Sequence, residues 1–122
     1  MCTVLVVDDD RSFRKILCNL FDRRSGFDDC VEAGNGAEAM AEAKRLSPNL
    51  VIVNSSTPAL NGLQLASRLK AVMLELPIFL FTADYNSYME KEALSCGVTA
   101  VFGRGDDLTT VVANARAVCG LA

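Results

Sequence analysis

The chain has 122 residues, a net charge of −3 and a sequence pI of about 4.8. Hydrophobic residues make up 51% of it and charged residues 22%, which indicates a globular protein with a core of its own rather than a disordered one. No basic cluster suggests nucleic-acid binding, and no apolar run is long enough to cross a membrane. We therefore expect one cytosolic domain over residues 1–122.

The chain contains no histidine, and its five cysteines form no C-x-x-C pair. A structural zinc site would need closely spaced thiolates or imidazoles, so the sequence argues against one. The odd cysteine count and the apolar neighbours predict reduced, mostly buried thiols. These residues are Cys2, Cys18, Cys30, Cys96 and Cys119.

The first half of the chain begins with an apolar run, Thr3–Val7, which predicts a strand and is followed by three aspartates. Apolar residues then recur at helical spacing, which predicts a helix over Ser12–Arg24 with Ser12 as its N-cap. Cys30–Ala33 reads as a weak strand. The alanine-rich segment Ala37–Leu46 favours a second helix.

The second half continues the alternation. Leu50–Val53 predicts a strand ending at Asn54, and after a loop a third helix carries Leu65, Ala66 and Leu69. The last three predicted elements are a strand ending at a threonine, a helix opened by a capping box, and a strand before a final helix. They lie at Ile78–Phe81 before Thr82, from Ser87 with Glu90 up to Gly97, and at Val98–Phe102 before Asp106 and Asp107.

Five strand–helix units in alternation predict an α/β fold with a doubly wound parallel sheet that has helices on both faces. In such sheets the functional side chains follow the strands at their carboxyl ends. The residues in those places are Asp8, Asp9, Asn54, Thr82 and Arg104.

The adjacent acids Asp8 and Asp9 suggest a site for a hard divalent cation such as Mg²⁺, which prefers carboxylate oxygen. Clustered carboxylates without a cation repel one another and raise one another's pKa values. An alternative remains open at this point, because acids also favour the start of a helix. Asp10 is expected to face solvent or to help cap the helix that follows.

These segments together resemble the receiver domains of bacterial response regulators over nearly the whole chain. The residues that carry the resemblance are Val4–Asp10, Leu50–Asn54 with Pro58 and Gly62, Phe81–Ala83 and Gly97–Arg104. The resemblance implies a CheY-like fold with the strand order 2-1-3-4-5. It also implies a two-component signalling module that receives a phosphoryl group from a histidine kinase.

The resemblance assigns a role to each position. The acidic pair, the residue at position 54 and the backbone carbonyl of Ser56 would hold Mg²⁺, and Thr82 and Arg104 would contact the phosphoryl oxygens. Three positions depart from the family pattern: Asn54 replaces the acceptor aspartate, Arg104 the lysine and Val101 the aromatic switch residue. Gly105 also replaces a proline. An amide does not accept a phosphoryl group in this way and is a weaker metal ligand.

We therefore expect a pseudo-receiver: a protein-interaction module, not an enzyme, in which Mg²⁺ binding is weakened or lost. Arg104 is hypothesised to reach Asp8, Asp9 or Asn54 and to hold the pocket in one state. The family's face of fourth helix, fifth strand and fifth helix would meet a histidine kinase, an output domain or a second copy. Neither nucleic acid nor a membrane is an expected partner. The candidate contact residues are Tyr85, Tyr88, Lys91 and Glu92.

Two alternatives keep phosphate chemistry. Ser55 or Ser56 could be phosphorylated in place of residue 54. Alternatively, Asp8 and Asp10 resemble the nucleophile and general acid of Mg²⁺-dependent haloacid-dehalogenase-type phosphatases. Against this, no second acidic pair is placed to complete the metal site, because Asp106 and Asp107 follow the final strand and begin a helix. No motif in the sequence identifies the pathway, the partner or the oligomeric state.

Overall fold

The computed structural model of the chain describes residues 1–54 and 61–121. Within these ranges five β-strands alternate with five α-helices, and one short 3-10 helix covers Arg23–Ser25. The strands are β1 (Thr3–Val7), β2 (Asp29–Ala33), β3 (Leu50–Asn54), β4 (Ile78–Thr82) and β5 (Ala100–Gly103). The helices are α1 (Arg11–Asn19), α2 (Gly36–Leu46), α3 (Gly62–Val72), α4 (Ser87–Ser95) and α5 (Leu108–Val118).

The strands form one parallel sheet in the order β2-β1-β3-β4-β5, which confirms the predicted topology. Every residue of β1, β3 and β4 is buried. Their unbroken apolar runs are explained by this position, since a central strand of a two-sided parallel sheet meets helices on both faces. Among the described residues, no helix is long and apolar enough to cross a membrane.

The core has two layers, one on each face of the sheet. Alternate strand residues such as Leu5 and Val7 pack with α2, α3 and α4, whereas Val4 and Val6 pack with α1 and α5. The side-chain period of two along a strand produces this separation. The α1/α5 layer contains the aromatic side chains Phe21, Phe27, Phe79, Phe81 and Phe102.

Two predicted helix starts are wrong by one or two residues. The N-cap of α1 is Asp10 rather than Ser12, and the N-cap of α4 is Asn86 rather than Ser87. In each case a side-chain oxygen upstream of the predicted residue accepts the free backbone N–H groups of the first turn. The prediction that α1 runs to Arg24 is also wrong, because α1 ends at Asn19.

The last strand begins two residues later than predicted, at Ala100 rather than Val98. The backbone N–H of Val98 donates to the carbonyl of Ala93 in α4, so Val98 still belongs to the closing turn of that helix. Gly97 makes this turn with φ of +95°, a left-handed conformation that favours glycine. The apolar run does form the last strand, but Val98 at its start belongs to the turn that ends α4.

The expectation of five reduced cysteines is wrong for one pair. Cys18 in α1 and Cys30 in β2 form a disulfide, with their Cα atoms 5.7 Å apart. Cys2, Cys96 and Cys119 are free. Sequence spacing carries no information about this pairing, because it depends on the way α1 crosses the edge strand β2.

The turn after α1 is tied to the last helix. Arg116 in α5 donates from Nη1 to the carbonyl of Ser25, and the next residue, Gly26, has φ of +94°. A Cβ atom at Gly26 would lie 2.8 Å from Arg116 Nη1. The left-handed backbone favours glycine here, and a Cβ atom would also displace the guanidinium of Arg116.

Candidate functional site

The predicted polar positions do come together at the carboxyl edge of the sheet. Val7 pairs with Val53 in register, so the next residues along β1 and β3 are Asp8 and Asn54. On the other side of β3, Asn54 pairs with Phe81, the residue before Thr82. Asp8, Asn54 and Thr82 are all buried, with exposed fractions of 0%, 2% and 4%. Three polar side chains that are this deeply buried need specific partners.

Asn54 is bound directly to Asp8. Its side-chain amide Nδ2 donates to Asp8 Oδ2 across 2.8 Å, and the second carboxylate oxygen, Oδ1, accepts from the backbone N–H of Asp10 at 2.9 Å. The amide is thus the donor in the pair, and the two side chains form a neutral-to-anionic hydrogen bond inside the sheet edge. Both carboxylate oxygens of Asp8 are satisfied by the protein itself.

Burial is the largest influence on the pKa of the Asp8 carboxyl group. Burial raises the pKa of Asp8 above its ordinary value of 3.8, and the nearby charge of Asp10 raises it further. The hydrogen bonds from Asn54 and Asp10 and the positive charge of Arg104 act in the opposite direction on this pKa. Desolvation therefore outweighs the three effects that favour the carboxylate.

The other two leading aspartates are placed differently. Asp9 is exposed. Asp10 caps α1, because its Oδ1 accepts from the backbone N–H groups of Ser12 and Phe13 at 3.0 Å and 3.3 Å. This arrangement confirms the expected helix-capping role of Asp10. It also engages the carboxylate that the phosphatase alternative needs as its general acid.

Arg104 lies on the surface side of this site. Its Nη2 atom is 3.8 Å from Asp10 Oδ2, and its guanidinium carbon lies 4.3 Å from the ring centre of Phe13. The hypothesis that Arg104 bonds to Asp8, Asp9 or Asn54 is therefore replaced by an ion pair with Asp10 and a stack on Phe13. The planar guanidinium suits this stacked position, where its charge still acts on Asp8 from a distance.

Thr82 and Val101 occupy the β4–β5 side of the edge. The hydroxyl oxygen of Thr82 accepts from the backbone N–H of Asp84 at 3.1 Å, which shapes the turn after β4. Val101 is half-buried, and beside it opens a cavity of about 290 Å³ that is also lined by Tyr85, Gly103 and Asp106. Because the side chain of Val101 is small, this space beside the turn after β4 is left unfilled.

One residue that the sequence analysis did not single out positions the acidic loop. Arg14 in α1 donates from Nη1 to the backbone carbonyl of Asp8 at 2.6 Å, and its Nε is 3.0 Å from Glu32 Oε1 in β2. Its side chain is only 15% exposed. The sequence carries no clear signal for this role, because the helical pattern places Arg14 in α1 but does not show which partners it reaches.

The proposed contact residues are exposed. Tyr88, Lys91 and Glu92 all lie on the surface of α4, and Tyr88 is 79% exposed. Tyr85 is also exposed and donates from its hydroxyl to Glu90 at 2.8 Å. Tyr88 is therefore a surface residue and is available to a partner.

Some of the predicted site falls outside the described residues. Ser55, Ser56 and Pro58 belong to this group, so the backbone ligand and both substitute phosphorylation positions lie there. Within residues 1–54 and 61–121, no three His, Cys, Asp or Glu side chains come together in a way that could hold a metal ion.

Comparison with known proteins identifies the fold and the site's context. Residues 4–105 match the model of the response regulator receiver domain. The chain belongs to this family. Receiver domains interact with histidine kinases and with output domains, and they usually bind Mg²⁺ at an acidic pocket.

Similar proteins support the assignment. A protein of Pseudomonas aeruginosa named as a transcriptional regulator is 32% identical over 97% of this chain and 56% of its own length. A two-component response regulator of the LuxR family from Aurantimonas has a TM-score of 0.88 at 21% identity, covering 98% of this chain and 86% of that one. The chemotaxis protein CheY4 of Vibrio cholerae has a TM-score of 0.85 at 22% identity, covering 97% of this chain and 98% of that one. The two structures show a shared fold, and the chain spans about half the length of the curated relatives it matches.

Proposed function

We propose that this receiver domain is a pseudo-receiver, which signals through protein contacts without phosphorylation of residue 54. The observation that carries the proposal is the 2.8 Å hydrogen bond from Asn54 Nδ2 to Asp8 Oδ2. Asn54 ends β3 beside Asp8, at the place where the family resemblance puts the acceptor carboxylate. Because a carboxamide lacks the anionic oxygen that attacks phosphorus, this position cannot form the acyl phosphate.

The same hydrogen bond supports a weakened Mg²⁺ site. A cation shared by Asp8 and Asn54 would need oxygen from both residues, whereas Asn54 presents its NH₂ group to Asp8. Binding the cation would require the amide to turn and the hydrogen bond to break. Asp8 already has a protein donor at each oxygen, so its need for a counter-ion is reduced.

The test is a comparison of the native chain with Asn54→Asp, each incubated with Mg²⁺ and a small acyl phosphate. We expect the variant alone to gain the mass of one phosphoryl group and to bind Mg²⁺ at least tenfold more tightly. The readouts are intact mass and a cation titration. A native chain that is phosphorylated stoichiometrically, at a rate similar to that of the variant, would overturn the proposal.

A matched control separates the effect of the site from the effect of an added charge. Asn86→Asp introduces the same chemical change at the N-cap of α4, where aspartate caps as well as asparagine. This variant should behave like the native chain in both measurements. If Asn86→Asp also gained a phosphoryl group, the response would not report on the pocket.

The surface of α4 is the proposed docking region for a partner, which could be an output domain, a kinase or a second copy. Tyr88 supports this assignment, because an exposed tyrosine buries a large area at a small entropic cost when a partner binds. Lys91 and Glu92 supply charges of both signs beside it.

Sedimentation of the native chain tests the second-copy arrangement. Tyr88→Ala should weaken self-association about tenfold, since a central aromatic contact is typically worth 1–2 kcal/mol or more. Leu74→Ala is the control, because Leu74 is also largely exposed but follows α3, outside the α4 surface. Equal effects of the two substitutions would contradict a specific role for Tyr88.

A further inference from the structure

The disulfide between Cys18 and Cys30 joins two elements that also frame the acidic loop. Cys18 lies in α1, whose N-terminus follows Asp10, and Cys30 lies in β2, the edge strand beside β1. The remaining cysteines, Cys2, Cys96 and Cys119, are thiols. One chain thus carries both redox states, with the oxidised pair at the edge of the sheet.

The disulfide is one of two neighbouring cross-links between the same elements. Arg14 precedes Cys18 by four residues and therefore lies on the same face of α1. Glu32 follows Cys30 by two residues and therefore lies on the same face of β2. The Arg14–Glu32 ion pair, 3.0 Å long, runs beside the disulfide, and Arg14 continues to the carbonyl of Asp8.

The disulfide is open to reagents in solution. Cys18 and Cys30 both line an open surface groove of about 610 Å³, together with charged side chains that include Lys15, Asp22 and Asp29. Cys18 is 8% exposed, whereas Cys30 is half-buried and is therefore the more accessible partner. We therefore assign Cys30 Sγ as the sulfur that an entering thiol attacks.

The second pair of nearby cysteines behaves differently. Burial raises the pKa of Cys119 to about 12, and a hydrogen bond with Cys2 adds to this effect. A thiol with so high a pKa forms almost no thiolate at neutral pH, and the thiolate is the reactive species. Cys119 is therefore a poor nucleophile for thiol–disulfide exchange.

We propose that Cys18 and Cys30 form a reversible thiol–disulfide site whose reaction partner is a dithiol, and that its reduction removes one of the two cross-links between α1 and β2. In reducing compartments protein disulfides are usually transient or regulatory, whereas in oxidising ones they persist. A pair that lines an open groove between a helix and an edge strand is placed for exchange with a soluble thiol. This inference stands independently of the role proposed for Asn54.

The exchange is balanced in two steps. One thiolate of the dithiol attacks Cys30 Sγ, the Cys18–Cys30 bond breaks, and Cys18 leaves as a thiolate within a mixed-disulfide intermediate. The second thiol of the reagent, as its thiolate, then attacks the reagent sulfur that is bonded to Cys30. Cys30 leaves as a thiolate, and the reagent closes into a disulfide. The reagent ends as a disulfide and has lost two electrons, while the two cysteines gain those electrons and take up two protons.

The experiment counts thiols in the whole native chain after equilibration with mixtures of reduced and oxidised dithiothreitol. Alkylation under denaturing conditions followed by intact-mass measurement gives the count. Because two of the five cysteines form the disulfide, we expect three thiols at the oxidising end and five at the reducing end. The same curve should be obtained from either direction without denaturant during equilibration.

Two variants make the count specific. Cys18→Ser should show four thiols at every ratio, whereas the control Cys96→Ser should change from two to four. Reduction should also lower the melting temperature by roughly 10 °C in the native chain and in Cys96→Ser, since the cross-link closes a short loop. The melting temperature of Cys18→Ser should not respond.

Three outcomes would overturn the proposal. Five thiols in the native chain at every ratio would show that the pair does not form under these conditions. Three thiols even in excess reductant would show a structural bond that does not exchange. A melting temperature that falls equally on reduction in Cys18→Ser would show that the effect of the reductant lies elsewhere.

Discussion

The two halves of the sheet's carboxyl edge accommodate their polar side chains in different ways. Between β1 and β3, Asp8 and Asn54 are buried and joined by a hydrogen bond, so the polar groups are satisfied inside the protein. Between β4 and β5, Arg104 is at the surface and a cavity of about 290 Å³ opens beside Val101. The first half is closed and specific, whereas the second half is open and loosely packed.

This difference determines which substitutions also disturb a neighbouring side chain. In the closed half, any substitution alters a buried pair and its desolvation. In the open half, side chains of other sizes or charges meet space or solvent, and the backbone is held separately by bonds such as that from the Arg104 N–H to the Thr82 carbonyl. Substitutions at the two halves should therefore have effects of different size.

The largest effect is expected at Asp8. Asp8→Ala removes the acceptor for Asn54 Nδ2 and for the Asp10 N–H, which should lower the free energy of unfolding by about 2–4 kcal/mol. Asp8→Asn keeps an acceptor oxygen for only one of these two donors but also removes a buried charge, so it should cost less than Asp8→Ala, about 1–2 kcal/mol. Urea denaturation measures both. Equal stability of the two variants would contradict the importance of the buried hydrogen bonds.

The same residue should give the native chain a specific pH dependence. Since the pKa of Asp8 is raised by burial, the folded chain binds a proton at a pH at which the unfolded chain has released it. The contribution of Asp8 to stability is therefore fully present below 3.8 and is lost as pH rises through the folded pKa. The free energy of unfolding of the native chain relative to Asp8→Asn should fall across this window. A relative stability that rises there would show the opposite shift.

A smaller effect is expected from filling the open half. Val101→Phe places a larger ring beside the cavity and should cost less than about 1 kcal/mol, because the space already exists. Leu80→Phe is the matched substitution, since Leu80 pairs with Val101 in register but is fully buried; it should cost about 1–3 kcal/mol. Chemical denaturation of both variants provides the comparison. Equal costs would mean that the cavity cannot accept a side chain from β5.

The smallest effect is expected at Arg104. Arg104→Leu removes the stack on Phe13 and the ion pair with Asp10, both near the surface, and should cost about 0.5–1 kcal/mol. A double-mutant cycle with Phe13→Leu isolates the stacking contribution. Coupling should remain in high salt, where the ion pair is screened. A coupling energy near zero would remove Phe13 as a partner of Arg104.

Much of the fold and the place of the site could be predicted from the sequence. The apolar runs of β1, β3 and β4 are continuous because these strands are buried on both faces, and Asp8, Asn54 and Thr82 stand directly after them. Parallel pairing then brings the strand ends to one edge without further information. The cap residues were less certain, since Asp10 and Asn86 compete with neighbouring serines that have similar capping chemistry.

The remaining features depend on distances between elements that no periodic pattern records. The direction of the Asn54 amide depends on the pairing of β1 with β3, whereas the reach of Arg14 and the Cys18–Cys30 bond depend on the crossing of α1 over β1 and β2. Arg104 was expected at the centre of the pocket. Its side chain turns outward because Phe13 and Asp10 at the start of α1 offer it an aromatic face and a carboxylate.

The left-handed backbone of Gly26, beside the guanidinium of Arg116, favours a residue with only a hydrogen atom in place of a side chain. Replacing that hydrogen with a methyl group would strain the backbone and displace the guanidinium from the Ser25 carbonyl at the same time. The final helix, α5, would then lose its hydrogen bond to the segment that leads from α1 into β2. Ser25 and Arg116 lie 91 positions apart in the sequence, so this hydrogen bond links α5 to the segment that follows α1, the helix that carries Arg14.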